Sequence, residues 1–183
     1  MSDSIELILY ACPTGELAVR LQEYFDASAS VCGANAAHAF PPHCTLTGFF
    51  RDQPSTVGSY VAALRDAWQQ SAPGDGRLDL RVASLQLMES FHFLLLSSVG
   101  LKPFVRRFVA SAASPTRAET LRTKEWLHLS LAYGFPPSHR WALRRVALDR
   151  LASVDSIPAT WEACLYERGC GGSWTKHAAW PFS

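Results

Sequence analysis

The sequence predicts an α+β protein in which helices cover an antiparallel or mixed sheet, arranged as two similar lobes around a central cleft. Strand-like and helix-like segments interleave, but two strand-like segments fall together mid-chain, which disfavours a uniformly parallel sheet. Two strands carry a matching pattern, "HCTLTGF" from His43 and "HLSLAYGF" from His128. Each half of the chain has the order helix, loop, histidine-bearing strand, helix. No linker divides the halves, so residues 1–183 are expected to form one domain.

The first half begins with a strand and a helix. Ile5–Cys12 is apolar on both faces, as in a buried strand, and Thr14 is a candidate N-cap for the helix that follows. That helix is marked by apolar residues at helical spacing: Leu17, Leu21, Tyr24 and Phe25. A loop then leads to the strand of His43, and a second helix is predicted over Ser55–Gln70.

The second half begins after "APGDGR", which has the composition of a turn. Leu78–Met88 and Phe91–Ser98 are predicted to form a hairpin of two strands. The remaining elements are predicted in this order: helix Lys102–Ala113, strand Trp126–Tyr133, helix Ser138–Ala152 capped by Ser138, and strand Thr160–Tyr166, which closes the sheet. The tail "GCGGSWTKHAAWPFS" has no periodicity, and its Trp174, Trp180 and Phe182 are expected to pack against the body.

Composition excludes several classes of protein. With 48% hydrophobic and 18% charged residues, the chain can bury a core, and disorder is not expected. A net charge of +1 disfavours a protein that wraps duplex DNA. No apolar run reaches the length of a membrane span, and "MSDSIELILY" lacks the features of a signal peptide. A cytoplasmic monomer without membrane attachment is therefore expected.

The five cysteines do not suggest a disulfide framework or a zinc site. Their number is odd and none forms a CxxC pair. Most of them are expected to be small core residues. The cysteines are Cys12, Cys32, Cys44, Cys164 and Cys170.

The two matched strands gather polar side chains on one face. Residues two apart in a strand point to the same side, so His43 shares a face with Thr45, and His128 shares a face with Ser130. The intervening residues are apolar and are expected in the core: Cys44, Leu46, Leu127, Leu129 and Leu131. The histidine and hydroxyl faces are left to line a cavity between the lobes.

Two imidazoles and two hydroxyls suit the hydrolysis of a phosphate diester. One group must take a proton from the attacking oxygen and another must protonate the leaving oxygen, and imidazole fills either role at neutral pH. The hydroxyls can hold the non-bridging oxygens as charge develops, and neither a metal nor a cofactor is required. A single histidine at a strand start is more often structural, so the hypothesis depends on the pairing of the two motifs.

The paired motifs resemble the two signatures of the 2H phosphoesterase superfamily, which includes LigT-type RNA ligases and plant cyclic phosphodiesterases. "LYACPTGELAVRLQEYF", "VCGANAAHAFPPHCTLTGFF" and "LHLSLAYGF" are further similar to the phosphodiesterase domain of the TULA proteins, also called UBASH. The "PTG" turn, the "CGxNxAH" loop and the "PHxTL" strand, in this order, carry that assignment. The similarity spans most of residues 9–135 and weakens in the middle of the chain and at the tail.

The resemblance implies a bilobal 2H phosphoesterase fold and metal-independent cleavage of 2′,3′-cyclic phosphates. The motif residues that it carries over are His43 and His128 as an acid–base pair, with the two roles not assigned, and Thr45 and Ser130 as phosphate ligands. The expected substrate is a 2′,3′-cyclic nucleotide or a short RNA with a cyclic phosphate end. TULA proteins also contain a ubiquitin-binding segment, an SH3 domain and a histidine-phosphatase-like domain, and 183 residues leave no room for these.

Side chains near the motifs are candidates for substrate binding: Tyr133, Phe49, His92 and His38. Core packing is the alternative for both Tyr133 and Phe49, and Tyr133 is the preferred base-stacking residue because it breaks the apolar pattern. His92 is either a residue of the cleft or a surface residue. His38 is either a site residue or a loop residue that orients the strand of His43.

Charged residues and rival functions complete the sequence-based hypotheses. Arg122 and Lys124 are candidates for a positive rim, with solvated surface charge as the alternative. A rival enzyme would cleave RNA ends, 2′,5′-linked oligonucleotides or cyclic oligonucleotides with the same four residues. A rival of another class is a non-catalytic nucleotide-binding module, which would not need an acid–base pair.

Overall fold

The structure is a computed structural model that describes residues 4–71, 78–117 and 119–182. Its strands are β1 (Ile5–Thr14), β2 (Cys44–Thr45), β3 (Phe50–Asp52), β4 (Arg81–Leu87), β5 (Phe91–Ser97), β6 (His128–Tyr133), β7 (Thr160–Arg168) and β8 (Trp174–Phe182). Its α-helices are α1 (Gly15–Cys32), α2 (Val57–Gln69), α3 (Leu101–Ser111) and α4 (Arg140–Leu151). The predicted turn "APGDGR" and the first three residues of "MSDSIELILY" lie outside the described residues.

The strands form a single antiparallel sheet. Their order is β4-β5-β6-β2-β1-β7-β8, and β3 also pairs with β1. The halves meet where β2 pairs with β6, and a single residue pair, Cys44 with Leu129, defines that register. This short seam separates a β4–β6 lobe from the lobe of the other strands, which confirms the predicted α+β fold class and is compatible with two lobes.

The core lies on one side of this sheet, under the helices. The side chains of Leu7, Leu9 and Ala11 alternate along β1 and are fully buried. α1 buries the apolar residues predicted for it and packs against α4. α2 packs against α3. Burial of each large aliphatic side chain contributes about 1.5–3 kcal/mol to the free energy of folding. Cys44 and Leu129, on the apolar side of the seam, belong to this core.

The ends of two predicted elements differ from the sequence-based expectation. β1 continues through Pro13 to Thr14. Beyond Ala11 it pairs with β7 but no longer with β2, so one edge of the strand is open there, and a proline is tolerated at an open edge. Thr14 is the N-cap residue of α1, as predicted, but its hydroxyl bonds Thr160 Oγ1 at 2.7 Å and makes no capping bond. Ser138 lies in a 3₁₀ turn before α4 and makes no capping bond either.

The prediction that Thr160–Tyr166 closes the sheet is wrong. The aperiodic tail forms β8, a strand of nine residues that pairs along β7 and forms the edge of the sheet. Tertiary pairing overrides the weak local signal, and Pro181 is accepted because β8 is an edge strand. Phe182 is buried and Trp174 and Trp180 are half-buried, so the expected packing of the tail is confirmed.

The cysteines are all free. Cys44 and Cys164 are buried, Cys12 and Cys32 are half-buried, and Cys170 is exposed, so fewer of them belong to the core than the sequence predicts. No helix within the described ranges is long and apolar enough to cross a membrane.

Candidate active site

A cavity of about 630 Å³ opens over the seam between β2 and β6. All four motif residues line it: His43, Thr45, His128 and Ser130. Each of them is half-buried, whereas Cys44 and Leu129 between them are fully buried on the opposite face. The alternation read from the sequence therefore holds on both strands, and the structure brings the two motifs together.

The antiparallel register arranges the four side chains as a quadrilateral. Because Cys44 is opposite Leu129, one step in each direction sets His43 opposite Ser130 and Thr45 opposite His128. Directly opposed Cβ atoms lie roughly 5 Å apart, and diagonal ones roughly 7–8 Å apart. The imidazoles thus occupy one diagonal and the hydroxyls the other, with space for a tetrahedral group between them.

The His43 ring is held from two sides. Its Nδ1–H donates to the carbonyl oxygen of Pro41 at 2.7 Å, which leaves Nε2 as the free nitrogen. The ring stacks on Tyr10, whose centroid is 3.7 Å away. Burial lowers the pKa of His43 to about 4; the Pro41 carbonyl partly opposes this and the nearby His128 adds to it. His43 is therefore neutral at pH 7.

The His128 ring repeats this arrangement on the other strand. Its Nδ1 faces the carbonyl oxygen of Trp126 at 3.3 Å, and the ring stacks on the Trp126 indole with centroids 4.0 Å apart. Phe91 and Phe93 contact the ring edge-on. Burial lowers the pKa of His128, the Trp126 carbonyl opposes that shift, and the charge of Lys124 adds to it.

One end of the cavity is basic. Residues 122–124 pair with the chain just after β2, through Gly48 N–H to the Arg122 carbonyl at 2.7 Å and Lys124 N–H to the Leu46 carbonyl at 3.0 Å. Arg122 and Lys124 line the cavity, and so does Glu125, which forms an ion pair with Lys102. An anionic substrate is therefore favoured at this end.

Two of the four substrate-binding candidates line the cavity. Tyr133 lies on β6 beyond Ser130, and Phe49 lies beyond β2 near Arg122. Phe49 packs against Trp174 and under the Arg168 guanidinium, 4.2 Å from its ring centroid. Both rings are half-buried.

The prediction that His92 binds substrate in the cleft is wrong. His92 does not line the cavity of the two motifs; it is fully buried against Phe135 on the opposite face of β5. The register with β6 shifts between His92 and Phe93, and this bulge accompanies Phe91 and Phe93 packing beside His128. Burial and the charge of Arg144 lower the pKa of His92.

His38 also lies outside the cavity, because both of its ring nitrogens are used by the loop. Nδ1 accepts from the backbone N–H of Asn35 at 3.1 Å, and Nε2–H donates to the Phe25 carbonyl at 3.1 Å. With the Asn35 side chain bonding Ala37 N–H, these bonds form a capping box that orients the approach to β2. His38 is a positioning residue of that loop.

Sequence reasoning missed the aromatic residues that support the imidazoles. Tyr10 on β1 and Trp126 before β6 each stack on one ring, and Phe40 lines the cavity beside His43. The only available signal was alternation: Trp126 is two residues before His128 and therefore shares its side of the chain. Tyr10 carries no such signal, because it is distant in sequence.

A metal site is not evident in the described ranges, where no group of three or more His, Cys, Asp and Glu side chains is arranged to hold an ion.

Comparison with known proteins gives relatives but no matching protein-family model. The ubiquitin-associated and SH3 domain-containing protein B of human is 34% identical over 174 residues, which is 89% of this chain and 25% of the relative. The mouse protein matches equally. This chain is a homologue of the TULA proteins. An ecdysteroid-phosphate phosphatase of Bombyx mori is 31% identical over 169 residues, 91% of this chain.

The TULA-like chain spans about a quarter of the length of these relatives. The match nevertheless covers nine-tenths of its own length. The similarity therefore covers more of the chain than residues 9–135, from which the resemblance was inferred.

Proposed function

We propose that this chain is a metal-independent phosphoesterase that hydrolyses 2′,3′-cyclic phosphates of ribonucleotides, with His43 and His128 as general base and general acid. The observation that carries the proposal is the diagonal arrangement of two imidazoles over one cavity, each with Nδ1 directed to a backbone carbonyl. Nε2 of each ring is then free to exchange a proton with a substrate. Relatives include a protein named as a phosphatase, which supports a phosphoester substrate.

The roles follow from the surroundings of the two rings. His43 is neutral at pH 7 because burial lowers its pKa to about 4, so its Nε2 accepts the proton of an attacking water. The oxygen of that water forms the new bond to phosphorus. The bond to one ribose oxygen breaks, and His128 Nε2–H protonates that oxygen as it leaves. The bound phosphate anion raises the pKa of His128 and maintains this proton.

Thr45 and Ser130 complete the site on the other diagonal. Their hydroxyls are positioned to donate hydrogen bonds to the non-bridging oxygens, where charge develops in the transition state. Thr45 lies opposite His128 and Ser130 lies opposite His43, so each oxygen is held beside one imidazole.

The proposal is tested by incubating adenosine 2′,3′-cyclic phosphate with the 183-residue chain in excess EDTA and measuring nucleoside monophosphate. Turnover that survives chelation is expected, with about a thousandfold lower rate in His43→Ala and in His128→Ala. His139→Ala, at the start of α4 and outside the cavity, is the matched control and is expected to retain the rate. Binding without turnover would instead support a non-catalytic nucleotide-binding module.

A further inference from the structure

The basic end of the cavity carries more positive charge than a substrate with one phosphate uses. In the proposed reaction, the cyclic phosphate lies between His43 and His128. Arg122 and Lys124 lie further along the same cavity, where residues 122–124 pair with the chain after Leu46.

These two cations have no protein partner within the described ranges. Neither side chain forms an ion pair or a hydrogen bond there, and both are exposed. Arg168, which covers Phe49, differs in this respect because it forms an ion pair with Glu6, a carboxylate that it shares with Arg51. The charge of Arg122 and Lys124 is therefore available to a ligand.

The lining of the cavity contains no competing free carboxylate among the described residues. Glu125 is the single acidic residue that lines it, and its carboxylate bonds Lys102 Nζ at 2.8 Å. Lys124 also lies close enough to His128 for its charge to lower the pKa of that imidazole. The basic end and the reacting centre therefore belong to one electrostatic site.

We propose that Arg122 and Lys124 form a second phosphate-binding subsite, so the preferred substrate is a ribonucleotide with a cyclic phosphate and one further phosphate. This inference rests on the proposed function and adds a substrate class to it. Guanidinium is suited to bidentate binding of phosphate, and the lysine supplies a mobile point charge. The further phosphate belongs either to the 5′ position of a mononucleotide or to an internucleotide bond.

The kinetic test compares three substrates: adenosine 2′,3′-cyclic phosphate, its 5′-phosphorylated form, and the 3′,5′-linked dinucleotide of two adenosines with a 2′,3′-cyclic phosphate end. At least one of the two substrates with a second phosphate is expected to have about tenfold higher kcat/KM, the value of one charge-assisted hydrogen bond. Preference for both substrates assigns the subsite to any second phosphate, and preference for the dinucleotide alone assigns it to an internucleotide bond. Equal kcat/KM for all three substrates would overturn the inference.

The double variant Arg122→Gln, Lys124→Gln tests whether these residues carry the preference. The ratio of kcat/KM between the substrates with two phosphates and with one phosphate is expected to fall close to one. Arg145→Gln removes an exposed charge from α4, outside the cavity, and is expected to retain the ratio. A double variant that keeps the wild-type ratio would also contradict the subsite.

A binding experiment separates this inference from the proposed reaction. Calorimetry with adenosine 3′-monophosphate and adenosine 3′,5′-bisphosphate needs no turnover. The wild-type chain is expected to bind the bisphosphate about tenfold more tightly, and the double variant is expected to bind both alike. If no cyclic substrate is hydrolysed but this difference remains, the reaction is wrong and the subsite stands. Equal wild-type affinities would exclude the 5′-phosphate from the subsite, and an equal kcat/KM for the dinucleotide would then remove the subsite.

Discussion

His43 and His128 occupy equivalent positions in the two lobes, yet their surroundings differ. Both rings face the carbonyl of the residue two positions earlier and both stack on an aromatic ring with planes 28° apart. Tyr10, beneath His43, is 1% exposed, whereas Trp126, against His128, is 50% exposed. The Nδ1 bond is 2.7 Å at His43 and 3.3 Å at His128. A repeated local motif thus yields one tightly held, neutral imidazole and one more open imidazole.

The lesson is that the motif provides the functional groups and the packing around it assigns their roles. Burial of the charged form is the leading cause of the lowered pKa at both rings. The more enclosed ring is the better proton acceptor at neutral pH, and the open ring more readily gains a proton when an anion binds.

The hydroxyl diagonal is expected to contribute less to the rate than the imidazole diagonal, for which a loss of about a thousandfold is expected. Thr45→Val and Ser130→Ala should each lower kcat about a hundredfold, because each removes a donor to a developing oxyanion. Steady-state hydrolysis of adenosine 2′,3′-cyclic phosphate measures this. Thr175→Val, at an exposed position of β8, is the matched control. Full activity in either motif variant would exclude that hydroxyl from phosphate binding.

The pH dependence of kcat/KM should separate the two imidazoles. The base must be neutral, so activity should fall below the His43 pKa of about 4. The acid must be protonated, so activity should fall above the His128 pKa, which lies below the ordinary 6.5. A bell with its maximum between pH 4 and pH 6.5 is expected, falling about tenfold per pH unit on the alkaline side. A maximum above pH 7 would reverse or remove these assignments.

Acid stability should depend more on His43 than on His128. The folded-state pKa of His43 is about 4, against 6.5 for the ordinary group. Between these values the unfolded chain binds more protons, so stability is retained above pH 6.5 and is lost as the pH falls towards 4. Because the half-buried position of His43 reduces the effect of its pKa shift, the free energy of unfolding is expected to fall by about 2 kcal/mol between pH 6.5 and pH 4.

Urea unfolding of wild type, His43→Gln and His128→Gln at pH 7 and pH 4.5 measures that loss. His43→Gln should reduce the acid-dependent loss more than His128→Gln. Equal pH dependence in wild type and His43→Gln would show that His43 titrates normally in the folded state.

The smallest expected effect concerns the exposed aromatic residue. Trp126→Ala should raise the pKa of His128 towards 6.5, because solvent replaces the indole that covers one side of the imidazole. The pKa of His43 should not change. Titration of the ring resonances by NMR follows both groups in one sample, and a shift at His43 alone would contradict the assignment of Trp126 to His128.

Much of the fold was predictable from local pattern. The apolar faces of Ile5–Cys12 and of the helix with Leu17 and Leu21 required only periodicity, and both are buried in the structure. The strand β8 in the C-terminal tail was not predictable, because its residues lack alternation and form a strand only by pairing with β7. Of the proposed substrate contacts, Tyr133 and Phe49 line the cavity. His92 lies outside it because it alternates with Phe91 and Phe93 along β5, and a capping box holds His38 outside it.

By itself, the sequence determined which groups are available: two imidazoles and two hydroxyls on the polar faces of two strands, since alternation along a strand is a local property. Only the tertiary structure decided that these strands are neighbours, that the imidazoles lie on one diagonal, and that Tyr10, Trp126 and Lys124 surround them unequally. Contacts between distant segments depend on the packing of the whole chain, and burial by such contacts is the main cause of the histidine pKa shifts.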